Sequence, residues 1–171
     1  MRIYLVGMPG SGKSTLAKAL SEQLDLPFYD MDDEIVNQEK RSIPEIFEKE
    51  GEEYFRKVEQ QIVQNFHPEN SIIATGGGAP CFFDNMEVLN GLGITVFTDV
   101  SAEALTERVW GQHGTRPLLS QSSEEEVFQS INDKRSDRLP YYKKAQIYIE
   151  AKDKTPEDLA IEIVNRLKDI K

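Results

Sequence analysis

The chain has 171 residues, the span of one domain with room for a single core. Hydrophobic residues make up 39% and charged residues 29%, ordinary values for a globular protein. With 20 basic residues against 30 acids the net charge is −10, which argues against nucleic acid as a partner, because a polyanion needs a basic face.

Short apolar runs alternate with helical patterns along the whole chain, the signature of an α/β domain with a parallel sheet. Residues 3–6 predict a buried strand and residues 13–24 a helix with Leu16, Ala17, Leu20 and Leu24 on one stripe. A short strand over 28–30 ends in carboxylates. Ser42 and Glu45 are spaced to cap a short helix, and residues 52–66 predict a longer one with Phe55, Val58, Ile62, Val63 and Phe66 on its apolar face. The strand 71–75 runs into Gly76, Gly77 and Gly78. A helix over 85–92, a strand over 94–97 and a helix over 102–110 follow. The polar stretch 111–122 reads as a mobile loop. Ser123 caps a helix expected to stop at Leu139-Pro140, and a fifth strand covers 146–149. Thr155-Pro156-Glu157-Asp158 starts the last helix, with Pro in the first turn and acids at the positive dipole end. No repeat or linker interrupts the pattern. Cys81 is the only cysteine, so no intrachain disulfide forms. No apolar run approaches the roughly 20 residues of a membrane span, and the first residues lack a signal-peptide pattern, so a cytoplasmic location is expected.

Gly7-Met8-Pro9-Gly10-Ser11-Gly12-Lys13-Ser14 matches the phosphate-loop pattern G-x-x-x-x-G-K-[ST], followed by Thr15, between a predicted strand and a predicted helix. Its glycines let backbone N–H groups converge on an anion at a positive helix end. Lys13 can reach the β- and γ-phosphates, and the Ser14 hydroxyl can ligate Mg2+. The loop implies ATP but not the acceptor. The third strand ends in glycines rather than in the aspartate of motors and switches. The free carboxylates lie at the end of the second strand, which points to small-molecule kinases.

Asp30 and Asp32 flank Met31 at that strand end, where ligands bind in open α/β sheets. If the segment is extended, i and i+2 face the same way and both carboxylates aim into one crevice. One would hold the metal's water shell and the other would orient the attacking hydroxyl. The alternative is an acidic helix start, since Asp33 and Glu34 follow. Arg56 borders the apolar stripe of its helix and Glu59 lies nearer its centre, where an unpaired carboxylate is costly. An Arg56–Glu59 pair would fix the guanidinium for a carboxylate ligand; a surface ion pair without function is the other reading. Three consecutive glycines at 76–78 suggest a backbone that something approaches closely. Arg135 and Arg138 share a helix face and read, alone, as solvated charges. Arg116 lies in the mobile stretch, where it is either an exposed loop residue or a charge delivered to the transferred phosphoryl group.

Taken together, the phosphate loop, F-Y-D-M-D at 28–32, F-R-K-V-E at 55–59, T-G-G-G-A at 75–79, T-R-P-L-L at 115–119 and R-x-P-x-Y from Arg138 resemble the shikimate kinases from end to end. The resemblance implies a P-loop kinase fold: a five-stranded parallel sheet in order 2-3-1-4-5 with helices on both faces, in one domain. It places a shikimate-binding insertion over 31–60 and a lid over 110–123. It implies transfer of the ATP γ-phosphate to the 3-hydroxyl of shikimate, with Mg2+, by a monomer, as a step towards chorismate and the aromatic amino acids. Asp32 would contact the shikimate hydroxyls and act as base or orienting group, with Lys13 and Arg116 acting on the phosphates. Gly10, Ser11, Gly12, Lys13, Ser14 and Thr15 would hold ATP. Ser14 would ligate the metal directly and Asp30 through water. Arg56 and Arg138 would clamp the carboxylate, Gly76, Gly77 and Gly78 would contact the ring, Arg108 would stack on adenine, and Lys154 falls in the adenine loop. Where the family has P-L-Y, this chain has Pro140-Tyr141-Tyr142. The rival readings are a kinase of the same fold acting on gluconate or a nucleotide, and a non-catalytic nucleotide-binding module.

Overall fold

In the computed structural model, which describes residues 1–111 and 123–170, the five apolar runs form one sheet. Strands β1 (Arg2–Val6), β2 (Phe28–Asp30), β3 (Ser71–Ala74), β4 (Ile94–Asp99) and β5 (Ile147–Glu150) are all parallel, in the order β2-β3-β1-β4-β5 expected above. Successive side chains point to opposite faces, and both faces are covered. Ile3, Leu5, Ile72, Ala74 and Val96 pack under helices α1 (Lys13–Leu24) and α8 (Pro156–Lys168). Tyr4, Val6, Ile73 and Phe97 pack on the other side. There they meet α2 (Met31–Glu39), α3 (Ile43–Glu50), α4 (Glu52–Asn65), α5 (Asn85–Leu92), α6 (Ala102–Gly111) and α7 (Glu124–Tyr142).

Local sequence fixes the helix starts. Ser123 and Thr155 both form full capping boxes, with Glu126 and Asp158 returning the bond. The Ser42 hydroxyl accepts from the Glu45 N–H. The stop expected at Leu139-Pro140 is not there: α7 runs through Pro140 to Tyr142. Proline inside a helix forfeits a hydrogen bond, at a cost of about 3 kcal/mol. The final turn carries Tyr142 into full burial, stacked on Phe97 with ring centroids 5.1 Å apart, which offsets that cost. The extended reading of Asp30 and Asp32 is also corrected. β2 ends at Asp30, which caps α2, and Asp32 lies in the first helical turn.

The helices α2 and α3 and the start of α4 occupy the stretch expected to bind the acceptor. Of the lid expected over 110–123, residues 112–122, with Arg116 among them, lie outside the described residues.

Candidate active site

The strand order reverses direction about β1, and ligands in open α/β sheets bind at the carboxyl ends beside such a switch point. The phosphate loop leaves β1 there. Gly10 (φ +75°) and Gly12 (φ +86°) adopt left-handed conformations that side chains disfavour, and Gly12 is the N-cap of α1. The Lys13 ammonium turns back over its own loop, donating to the carbonyls of Gly7 and Met8, each at 2.9 Å. Burial lowers its pKa to about 8, against the raising influence of the Asp32 and Asp30 charges.

Asp30 links the loop to the acceptor side. One of its oxygens accepts from the Ser14 hydroxyl at 2.6 Å, and the other accepts from the Asp32 N–H at 2.9 Å. The expected metal pair is therefore in contact. A hydroxyl and a carboxylate, both oxygen donors, suit Mg2+, which is commonly held by one or two protein oxygens together with phosphates and water. Among the described residues no group of three or more His, Cys, Asp or Glu offers a fuller cage.

Lys13, Ser14, Asp30, Asp32, Arg56, Gly76, Gly77, Gly78 and Arg138 line a single cavity of about 440 Å³. Burial, and then the charge of Asp30, raise the pKa of Asp32, partly opposed by Lys13. The expected Arg56–Glu59 pair forms at 2.8 Å, with Glu59 only 2% exposed. Burial outweighs Arg56 and raises the pKa of Glu59. The second contact of Arg56, to the exposed Glu52, is longer at 3.3 Å. Arg138 lines the cavity with a buried Nη1 that has no hydrogen-bond partner among the described residues. Two guanidinium groups with donors to offer suit a ligand carboxylate.

Space, not backbone conformation, accounts for the triple glycine. A Cβ on Gly76 would lie 2.9 Å from Asp32 and 3.0 Å from Glu59; one on Gly77 would lie 2.5 Å from the Pro9 ring; one on Gly78 would strike the Arg56 guanidinium. None of the three has positive φ. The close approach expected from sequence comes from the protein's own site side chains.

Arg108 and Lys154 border one groove of about 230 Å³ beside Gly12, Thr15 and Pro156. Arg108 donates to the Gly10 carbonyl at 2.9 Å, and Lys154 pairs with Glu162 at 2.6 Å. Arg135 is not a solvated charge: it pairs with Asp99 at 2.6 Å and also donates to the Val100 carbonyl. The sequence reading did not include several residues that shape the cavity. Ile43 and Phe47 wall it together with Phe55, which the sequence reading placed only on the apolar face of its helix; a phenylalanine at the edge of a short helix was the available signal for Phe47. The Tyr142 hydroxyl donates to the Gly77 carbonyl at 2.5 Å, tying α7 to the glycine turn. The second tyrosine of Pro140-Tyr141-Tyr142 was the clue.

The protein-family model described as shikimate kinase matches residues 9–168. A shikimate kinase of Azobacteroides pseudotrichonymphae is 42% identical over 160 residues, covering 92% of this chain and 94% of that one. The shikimate kinase of Aquifex aeolicus is 40% identical over 169 residues, covering 98% and 96%. The crystal structure of Bacteroides thetaiotaomicron shikimate kinase superposes with a TM-score of 0.86 at 34% identity, covering 99% of this chain and 98% of the other. That of Acinetobacter baumannii shikimate kinase in complex with shikimate gives a TM-score of 0.85 at 34% identity, covering 99% and 94%. With a phosphate loop, a carboxylate and two arginines lining one crevice, and with relatives over nearly its full length, the chain belongs to the shikimate kinase family.

Proposed function

We propose that this cavity carries out ATP-dependent phosphorylation of shikimate at its 3-hydroxyl, with the roles of individual residues as follows. The observation that carries the assignment is the arrangement within one cavity. Lys13 and Ser14 stand at the phosphate end, Arg56 and Arg138 line the acceptor end, and Asp32 is in the same cavity with them. The loop from Gly10 to Thr15 cradles the ATP phosphates. Lys13, now bonded to its own loop carbonyls, exchanges those contacts for phosphate oxygens. Arg56 and Arg138 hold the shikimate carboxylate and so fix which hydroxyl reaches Asp32. Asp32 accepts that hydroxyl's proton as the new O–P bond forms and the bond from the γ-phosphorus to ADP breaks. Burial raises the pKa of Asp32, which makes its carboxylate a better proton acceptor than that of an ordinary aspartate.

Ser14 and Asp30 would hold Mg2+, which when bound neutralises charge on the β- and γ-phosphates. Arg108 and Lys154 border the adenine, and Arg116 supplies a further charge to the phosphates. The acceptor-binding segment is 31–60, the lid is 110–123, and the enzyme works as a monomer in the cytoplasm. No helix among the described residues is long and apolar enough to cross a membrane. The test is ADP release coupled to oxidation of NADH, with shikimate as the acceptor. Turnover that depends on shikimate, and is lost in Asp32→Asn, is expected; ADP release indifferent to shikimate would contradict the reading.

A further inference from the structure

We infer that Phe82 is a positioning residue of the acceptor site, its ring fixing the Arg56 guanidinium for a carboxylate ligand; this rests on the carboxylate clamp proposed above. The Arg56 guanidinium carbon lies 4.0 Å from the centroid of the Phe82 ring, and 5.2 Å from that of Phe55. At such distances the negative face of a ring attracts a guanidinium, more strongly as water is excluded, and the Arg56 side chain is only 11% exposed. Glu59 holds the Nη1 end, and Gly78 lies so near that a Cβ there would strike the same guanidinium. The ring thus limits tilting of the plane, while the long contacts to the exposed Glu52 are the ones a ligand carboxylate can replace.

Ordinary core packing does not explain the placement of Phe82. Its ring belongs to neither of the two apolar clusters that flank the sheet, although its neighbour Cys81 packs on one of them. The backbone around it is held from both sides. A 3-10 turn over Ala79–Cys81 is closed by Ala79 N–H to the Gly76 carbonyl and Cys81 N–H to the Gly78 carbonyl. Beyond it the fully buried Asn85 reaches back, its side chain donating to the Ala79 carbonyl at 2.8 Å and its N–H to the Phe82 carbonyl at 3.2 Å. Between them Phe83 takes φ +53°, which phenylalanine rarely adopts, and its ring is left 54% exposed. Two adjacent phenylalanines are therefore treated oppositely: one is given to solvent in a disfavoured conformation, and the other is set against the arginine.

The experiment compares Phe82→Leu, which keeps an apolar side chain without a ring, with Phe82→Tyr, which keeps the ring. Phe82→Met repeats the first comparison with a different apolar shape. Leu and Met should raise the KM for shikimate by about 3- to 10-fold, and Tyr should stay within about 2-fold of the parent. The KM for ATP should not move. With shikimate methyl ester, which has no charge to clamp, kcat/KM should be the same in the parent and Phe82→Leu. An unchanged KM for shikimate in both Leu and Met variants overturns the inference. So does an equal loss on acid and ester, which would assign Phe82 to cavity shape. Arg56→Ala separates the layers. If it leaves the KM for shikimate unchanged, the clamp itself fails and this inference with it; if it raises that KM while neither Phe82→Leu nor Phe82→Met does, only the inference fails.

Discussion

Adding one methyl group at Gly77 and one at Gly78 should produce different defects. At Gly77 the new carbon would lie 2.5 Å and 2.6 Å from the Pro9 ring and 2.8 Å from the Pro9 backbone nitrogen. Neither Pro9 nor the strand end can yield without moving main chain, so Gly77→Ala should cost about 1–3 kcal/mol of stability. In a chain of this size that lowers Tm by about 3–10 °C. Because Pro9 belongs to the phosphate loop, the KM for ATP should rise too. At Gly78 the obstacle is the far end of a side chain, Arg56, and φ is −86°, which alanine accepts without strain. Gly78→Ala should therefore leave the main chain in place but push the guanidinium off its seat, so that any stability it loses comes from loosening the Arg56–Glu59 pair. Losing a hydrogen-bonded charge contact to the substrate costs about 1.5–3 kcal/mol, or about 10- to 150-fold in the KM for shikimate. Differential scanning calorimetry and steady-state kinetics on the two variants suffice. Indistinguishable variants, or a Gly78→Ala enzyme with the parent's KM for shikimate, would refute the reasoning that the glycines make room for site side chains.

Asp32→Asn keeps size and removes the proton acceptor, so kcat should fall by about 100-fold or more with the Kd for ATP little changed; near-normal turnover would remove Asp32 from the chemistry. Arg138→Ala should raise the KM for shikimate about 30-fold or more and leave that for ATP within a few-fold, a difference absent with the methyl ester. With its pKa lowered by burial to about 8, Lys13 loses its proton in the free enzyme at lower pH than an ordinary lysine, whereas bound phosphates favour the ammonium. ADP binding should then be accompanied by proton uptake onto this lysine that is larger at pH 8 than at pH 6.5, measured by calorimetry in buffers of different ionisation enthalpy. Uptake that does not grow with pH over that interval would contradict the burial argument.

The strands and most helix starts were legible because they rest on local signals: apolar runs bounded by turns, capping residues and the phosphate-loop spacing; the order of the strands came from the family resemblance. The errors arose where tertiary packing overrides a local preference. Pro140 reads as a helix stop, yet burial of Tyr142 carries α7 past it. Asp30 and Asp32 reach one cavity not by strand alternation but because Asp30 caps a helix whose first turn presents Asp32. The Arg56–Glu59 pair could be read from helical spacing, since both partners lie on one element. The Arg135–Asp99 pair and the Phe82–Arg56 contact could not, because their partners are 36 and 26 residues apart in the chain and only the folded sheet joins them. The glycine triplet shows both sides: its density announced a close approach, but the sequence did not say what approaches.

The central claim is that the cavity between the phosphate loop and Arg138 selects a carboxylate-bearing cyclic polyol as phosphoryl acceptor. Its most direct test is a coupled ADP-release assay on the purified chain with Mg2+ and ATP, offering shikimate, gluconate and nucleoside monophosphates in parallel. The structure predicts rapid, saturable turnover with shikimate and little above the no-acceptor rate with the others. Turnover on gluconate or a nucleotide that matches or exceeds turnover on shikimate would contradict it.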